Sequence, residues 1–482
     1  MTAPQSSAPP TADLLARLAA LLGPSGILTD SSDIAPYCTD WRSLYHGRAA
    51  AVLRPAGTAE LAQAVALCAE TGVAMVPQGG NTSMVGGATP DESGRDIVVC
   101  LSRMNRVRQI DPLDHTMEIE AGVTLKAAQD AARDAGLMLP LSISSEGSAQ
   151  IGGVLATNAG GNNTVRYGNA RELVLGLEVV LPDGSVFNGL RRLRKDNTGY
   201  ALRQLFVGSE GTLGFITSAI LQLQPQPRAV EAALCAVADA SAALALFAAF
   251  RDQDPALIQA FEYMSGDGME LVTRLVPGAS LPLAEAAPAY VLVELATPRR
   301  NADLRAALED VLAGMFEAGT VSDAVIAESE GQRLALWKLR EEHAEAQRRT
   351  GASVKNDVSV PVSRVPELID RASAACVALI PGIRPAPFGH IGDGNIHFNL
   401  VQPEGMDPAD FLAQDHRIMD TVAAIVRELD GSFSAEHGVG RLKPYMMPDW
   451  RGGAELATMR RIKDAIDPHG LMNPATLFPP AG

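Results

Sequence analysis

The densest run of residues able to do chemistry is PFGHIGDGNIHFNL, Pro387 to Leu400. After its GDGN turn, strand alternation puts Asn395, His397 and Asn399 on one face and Ile396, Phe398 and Leu400 on the other. His390 immediately precedes the turn, so two imidazoles can converge across the bend. A solvated edge strand shows the same alternation, and a third member is needed to separate the two readings. The segment SAEHGVG, Ser434 to Gly440, offers one: Glu436 brings a carboxylate and His437 a further imidazole. Two His and one carboxylate form a common three-ligand set for catalytic Zn²⁺, with one coordination position left for substrate.

A different chemistry is written in three glycine-rich blocks. In PQGGNTSMVGGATP, Pro77 to Pro90, Gly79 and Gly80 allow close backbone approach and positive φ, while Asn81, Thr82 and Ser83 add donors. Such a loop can form a nest for a pyrophosphate. The block from Ser145 to Gly184 carries Gly152, Gly153, Thr157, Gly160 and Gly161, and VGSEGTLGFIT, Val207 to Thr217, carries Gly211 and Ile216. One glycine-rich loop is commonly an ordinary turn. Three in one domain, each costing backbone entropy on folding, point to a cradle. Signatures of a P-loop, a nucleophile elbow or a GxGxxG dinucleotide turn do not occur.

Elements must bring these residues together. Residues 1–10 are Pro/Ser/Ala-rich and are expected to be disordered. Thr11 caps an expected docking helix with Leu14, Leu15, Leu18, Leu21 and Leu22 on its apolar positions, ended by Gly23-Pro24. From about 50 to 225, short apolar strands alternate with helices expected at 58–71 and 124–135. From 226 the order is strand, helix, strand, strand, helix, strand, the ferredoxin-like split arrangement. One helix is expected over 331–349, strands near 357–361 and 395–401, and helices near 408–430 and 452–466. The fold class is therefore α+β. Its expected parts are a tail and docking helix over 1–45, a glycine-loop domain over 46–225, a substrate and metal domain over 226–440, and a segment over 441–482 returning to the first domain.

The three glycine blocks resemble the FAD-binding domain of the vanillyl-alcohol oxidase and p-cresol methylhydroxylase flavoprotein superfamily, and the remainder resembles its FAD-linked oxidase C-terminal domain. The resemblance spans nearly all of residues 45–480. It implies a two-subdomain FAD-binding domain of the p-cresol methylhydroxylase type, with Gly79, Gly80, Asn81, Thr82, Ser83, Gly152, Gly153, Thr157, Gly160, Gly161, Gly211 and Ile216 as cofactor contacts. Asn81 stands where covalent relatives carry a flavin-linked His, so the FAD is expected to be noncovalent. In the D-2-hydroxyacid dehydrogenase branch, His390, His397 and Glu436 match the ligands of a divalent metal, read here as Zn, and His437 matches the catalytic base. Arg340 and Lys355, ordinary surface charges by sequence alone, match the residues that hold substrate carboxylates in D-2-hydroxyglutarate dehydrogenases, and Asn399 matches a polar substrate contact. Ala344 departs from that group, which can carry a hydroxyl residue there. The implied reaction is metal-assisted proton abstraction from D-2-hydroxyglutarate with hydride transfer to flavin N5. A D-lactate or glycolate dehydrogenase and a noncatalytic flavin-binding subunit are the alternatives.

Length and composition agree with this class. A chain of 482 residues holds two to four domains at about 150 residues each. With 40 basic against 56 acidic residues the net charge is −16, which leaves binding to a phosphate backbone without its electrostatic source. Five scattered cysteines with no CxxC pair read as apolar fillers in a reducing compartment. No stretch reaches the roughly 18 apolar residues of a membrane span, and a cytoplasmic enzyme is expected. Its partners are then a small hydroxyacid and an electron acceptor such as an electron-transfer flavoprotein, a quinone or a cytochrome. A homodimer is one possible assembly.

Overall fold

The computed structural model describes residues 8–479, so seven of the ten residues expected to be disordered lie outside the described residues. The chain forms two compact units. The first comprises the residues up to Gly160, Gly168–Gln226 and the chain from Glu436 onward; the second comprises Gly161–Tyr167 and Pro227–Ala435. The chain thus returns to the first unit at 436, where the sequence reading has 441, and seven residues of the second glycine block are counted with the second unit.

In the first unit, Thr11 Oγ1 accepts from Leu14 N at 3.2 Å and starts α1 (Ala12–Leu22). Leu14, Leu18 and Leu22 are buried against Leu61, Val65 and Cys68. A four-stranded sheet follows from β1 (Ile27–Leu28), β2 (Ala51–Leu53), α2 (Thr58–Thr71), β3 (Met75–Gln78) and β4 (Ile97–Cys100), in strand order β1-β2-β4-β3. The β2-β4 and β3-β4 pairs are parallel. Ile97 and Val99 enter one core while Val98 and Cys100 enter another, which is why IVVC is apolar throughout rather than alternating.

A second sheet in this unit is antiparallel and alternates. It contains β5 (Val107–Asp111) and β6 (Thr116–Glu120), then, after helices α3 (Leu125–Asp134) and α4 (Ile151–Ala156), β7 (Val174–Val180), β8 (Val186–Asn188) and β9 (Phe215–Gln222), ordered β5-β6-β9-β7-β8. Met117, Ile119, Leu177, Val179, Ala219 and Leu221 share a core with both helices. Glycines 152 and 153 lie inside α4, whereas the sequence reads as loop there, because tertiary packing overrides weak helix propensity.

The second unit begins with β10 (Ala229–Val237), α5 (Ala240–Gln253), β11 (Ile258–Ser265), α6 (Gly266–Leu275), β12 (Ala289–Thr297), α7 (Leu304–Glu317) and β13 (Val321–Ile326). Helix α6 is absent from the sequence reading: its two early glycines look like a turn, but Ser265 Oγ accepts from Gly268 N and caps it. A Cβ at Gly268 would stand 2.8 Å from the His343 ring, so this glycine admits a buried imidazole. The single helix expected over 331–349 is two, α8 (Glu330–Glu341) and α9 (His343–Thr350). Strands β14 (Asp357–Ser359), β15 (Phe388–Gly389) and β16 (Asn395–His397) extend the ferredoxin-like sheet to the order β13-β10-β12-β11-β15-β16-β14. The expected 408–430 helix is divided into α10 (Pro408–Leu412) and α11 (Asp415–Glu428), and α12 (Ala454–Ile466) closes the helical tail. Among the described residues no helix is long and apolar enough to cross a membrane, and all five cysteines are buried and free.

Candidate active site

The GHIGDGN turn joins β15 to β16 and is fixed by its own backbone. Asp393 N donates to His390 O at 3.2 Å, and Asn395 N to Asp393 Oδ1 at 3.1 Å. Gly394 has φ +87°, and a Cβ there would stand 2.1 Å from Val360 O, so only glycine fits. Strand β16 pairs with β14, Asp357 opposite His397 and Ser359 opposite Asn395. The expected continuous strand to residue 401 breaks after His397: Phe398 N donates to Asn356 O, and Asn399 N donates back to His397 O at 2.9 Å. On the other side of β14, Ser359 and Ser432 exchange backbone hydrogen bonds, and Ala435 N lies 3.2 Å from Asp357 O and Oδ2. Those bonds lead the chain to Glu436 and His437, its next two residues. One ligand atom from each of Asp357, His397, Glu436 and His437 lies within 4.8 Å of every other.

Of the three ligands expected from sequence, His397 and Glu436 belong to this group. The His390 ring lies 5.5 Å from the His397 ring, nearly perpendicular to it. His390 Nδ1 is 2.7 Å from Glu262 Oε1, and the other oxygen of Glu262 accepts from Arg340 Nε at 2.6 Å. All three side chains are buried. Burial pushes the Glu262 carboxyl up, but His390 and Arg340 outweigh it and hold the group at about 2, so it is ionised. The Arg340 guanidinium also covers the Phe388 ring at 4.9 Å, and His343 stacks on the same ring at 5.0 Å. Burial, with the nearby Arg340, pushes the His343 imidazole down to about 3, so it stays neutral. Asn399 Nδ2 donates to Gln347 Oε1 at 2.8 Å; Lys355 lies two residues ahead of β14, the strand bearing Asp357, and is half-buried; Ala344 is exposed.

In the first unit, the glycine blocks meet. A Cβ on Gly80 would stand 1.9 Å from Ser148 O, and one on Gly79 would lie 3.6 Å from Gly153 N. Asn81 has φ 53° and donates from Nδ2 to Thr39 O, while Ser83 Oγ accepts from Val85 N and Gly87 N. Gly211 has φ +72°, and a Cβ there would press on Pro77 at 2.8 Å. Gly152 is pressed against Ala121, Thr157 caps the end of α4, Ile216 is buried in β9, and Gly160 follows that helix, while the next residue, Gly161, is counted with the second unit.

Residues 49–189 match the FAD binding domain model, and residues 226–477 match the model of the FAD linked oxidases, C-terminal domain. The second match alone covers more than half of the chain. The chain belongs to the FAD-linked oxidases. Among its relatives in that family are D-2-hydroxyglutarate dehydrogenase of Xanthomonas citri pv. viticola, 38% identical over 93% of both chains, and the mitochondrial enzyme of that name from Bos taurus, 38% identical over 95% of this chain and 82% of the relative. D-2-hydroxyglutarate–pyruvate transhydrogenase of Saccharomyces cerevisiae is 33% identical over 92% and 89%. Solved p-cresol methylhydroxylase shares the fold with TM-score 0.71 at 16% identity over 98% of each chain, and alkyldihydroxyacetonephosphate synthase with TM-score 0.75 at 18% identity over 97% and 86%. The FAD-linked oxidase is thus an oxidoreductase whose α+β architecture is that of the p-cresol methylhydroxylase type.

The residues present fit FAD and offer a site that a divalent cation would also fit. For FAD, the interlocked Gly79–Gly80 and Gly152–Gly153 loops carry a buried acceptor, Gln150 Oε1, to which no described residue donates, 3.7 Å from where a Gly79 Cβ would be. For a divalent cation, the oxidase offers nitrogen and carboxylate donors from four residues at ligating spacing. Sequence reasoning did not single out Asp357, Glu262 or Gln150. Glu262 leaves a legible trace, a carboxylate in the middle of the apolar run ALIQAFEYM. Asp357, in an ordinary polar stretch, leaves none.

Proposed function

We propose that this FAD-linked oxidase is a D-2-hydroxyglutarate dehydrogenase, oxidising the D-2-hydroxyacid to 2-oxoglutarate. The observation that carries the reading lies within the second unit, where the His397 ring stands 5.5 Å from that of His390, His390 Nδ1 meets Glu262, and Glu262 meets a buried guanidinium, Arg340. Near-full-length relatives of that name support it. When bound, FAD supplies the hydride acceptor and a divalent cation, read as Zn, supplies Lewis acidity at the substrate oxygens.

His390, His397 and Glu436 would hold the cation. Asp357, whose oxygens accept from Asn395 Nδ2 and Ala435 N, orients His397 from 3.5 Å. His437 takes the substrate hydroxyl proton at a ring nitrogen, since neutral imidazole, with an ordinary pKa near 6.5, is a competent base at neutral pH. A dicarboxylate cannot be buried without a cation for its far end. Arg340 and Lys355 supply the charges, and Asn399 a polar contact. Gly79, Gly80, Asn81, Thr82, Ser83, Gly152, Gly153, Thr157, Gly160, Gly161, Gly211 and Ile216 line the cradle for a noncovalent flavin. The electrons leave to an electron-transfer flavoprotein, a quinone or a cytochrome, and five free buried cysteines support a reducing, cytoplasmic setting.

Anaerobic mixing of the flavin-loaded enzyme with D-2-hydroxyglutarate, D-lactate and glycolate, alongside metal analysis, tests the proposal. D-2-hydroxyglutarate should bleach the flavin fastest. Preference for D-lactate or glycolate would move the substrate assignment to a monocarboxylate, and bleaching by none would leave a flavin-binding subunit.

A further inference from the structure

Strand β11 faces helix α8 with Ala260, Glu262 and Met264. Ala260 and Met264 are buried in a core with Leu336, Trp337 and Leu339 of the helix, so the carboxylate between them stands in an apolar layer. A charged group there is expensive unless both oxygens are engaged. They are, and by residues of two different kinds: Oε1 meets His390 Nδ1 at 2.7 Å and Oε2 meets Arg340 Nε at 2.6 Å. The 2.7 Å contact engages Nδ1 of the imidazole, the ring nitrogen that faces the carboxylate, so a metal would meet the ring at Nε2. The Arg340 bond uses Nε alone. No described residue accepts a hydrogen bond from its two terminal amino groups, the pair that can grip a carboxylate in a fork.

We propose that Glu262 is a positioning residue shared by the two anchors of the site: one oxygen sets the tautomer and aim of the metal-binding imidazole His390, and the other sets the aim of the substrate-binding guanidinium Arg340. The inference rests on the D-2-hydroxyglutarate reading and adds to it a physical link between metal affinity and carboxylate recognition. Histidine ligands commonly depend on such a carboxylate partner, whose loss weakens metal binding about 10- to 100-fold. Here the same loss also frees the guanidinium to rotate. Neither substrate nor metal needs to touch Glu262 for both to weaken.

The test uses the full-length flavin-loaded enzyme, stripped with a chelator and titrated with Zn²⁺ alone by calorimetry, followed by steady-state kinetics at saturating Zn²⁺ with D-2-hydroxyglutarate and D-lactate. Glu262→Gln should weaken Zn²⁺ binding about 10- to 100-fold. At saturating metal it should still raise KM for D-2-hydroxyglutarate about tenfold, leaving KM for D-lactate within about twofold. Glu262→Asp, which keeps the charge but shortens the reach, guards against misfolding of the first variant and should recover part of one loss without the other. Arg340→Gln should give the KM effect with wild-type Zn²⁺ affinity. Wild-type Zn²⁺ affinity in both Glu262 variants, or parallel losses for both substrates that track only a lower melting temperature, would overturn the shared role. A wild-type enzyme that binds no Zn²⁺ and is not reduced by D-2-hydroxyglutarate would instead overturn the functional reading, and this inference with it.

Discussion

Histidines 390, 397 and 437 are the same residue type within a short reach, yet their surroundings assign them different work. His390 is buried and held at Nδ1 by a carboxylate, while His397 and His437 are half-buried in the four-donor group. We therefore expect His397→Ala to lose bound metal and most turnover while retaining FAD. His437→Ala should keep the metal, since His390, His397, Asp357 and Glu436 remain, and lose about 10² to 10⁴ in rate as a general base is removed. Metal analysis and anaerobic flavin reduction on the two variants check this, and normal turnover in His437→Ala would refute the base assignment. The basic residues separate by substrate. If one of them reads the distal carboxylate, its replacement by Ala lowers kcat/KM for D-2-hydroxyglutarate by about tenfold to a few hundredfold and barely alters D-lactate, because a hydrogen bond to a charged group is worth roughly 1.5–3 kcal/mol. Equal losses for both substrates in Arg340→Ala and Lys355→Ala would point to a general D-2-hydroxyacid dehydrogenase.

At the scale of elements, the β15–β16 turn and the start of β4 each depend on one residue. Gly394→Ala would force a Cβ to within 2.1 Å of Val360 O at φ +87°, a clash with backbone that no rotamer relieves. A loss of roughly 2 kcal/mol or more, read as a lower urea midpoint, is expected together with reduced metal binding. Ahead of β4, Asp96 is only 3% exposed. Burial, and then the neighbouring Asp91, push its carboxyl up to about 6. A folded pKa above the unfolded value of roughly 3.9 means that the group's stabilising contribution is present below about pH 4 and is lost as pH rises through 6. Asp96→Asn does not titrate. Relative to wild type it should therefore gain about 1 kcal/mol between pH 5 and pH 8, visible as a widening melting-temperature difference; a constant difference would show that this carboxyl does not titrate in the fold.

For the molecule as a whole, the family assignment predicts its colour. By the resemblance, Asn81 stands where covalent relatives carry a flavin-linked His; its side chain donates to Thr39 O. The purified protein should be yellow, and heat or acid should release FAD into the supernatant. Flavin that stayed with the precipitated polypeptide would contradict a noncovalent cofactor. Removing FAD should also lower the melting temperature, because a ligand at a hundred times its Kd stabilises the folded state by about 2.7 kcal/mol.

The sequence by itself determined the kinds of element and the chemistry they could carry. Runs such as IVVC and HTMEIEAG announce buried and half-buried strands through their hydrophobic period, and the glycine blocks announce a cradle because few other residues take their backbone angles. His390, His397 and Glu436 were legible as metal donors, and His437 as a base beside them, since imidazole and carboxylate are rare in such company. Tertiary structure alone decided the partnerships. Asp357 enters the donor group only because β14 pairs with β16, and that register is a long-range property no local pattern encodes. His390 and Arg340 meet at Glu262 because β11 lies beside β15 and beneath α8, elements separated by 78 and 128 residues along the chain at the contacts concerned. Sequence spacing reports which groups exist; sheet order and the cost of burying an unpaired charge decide which of them touch.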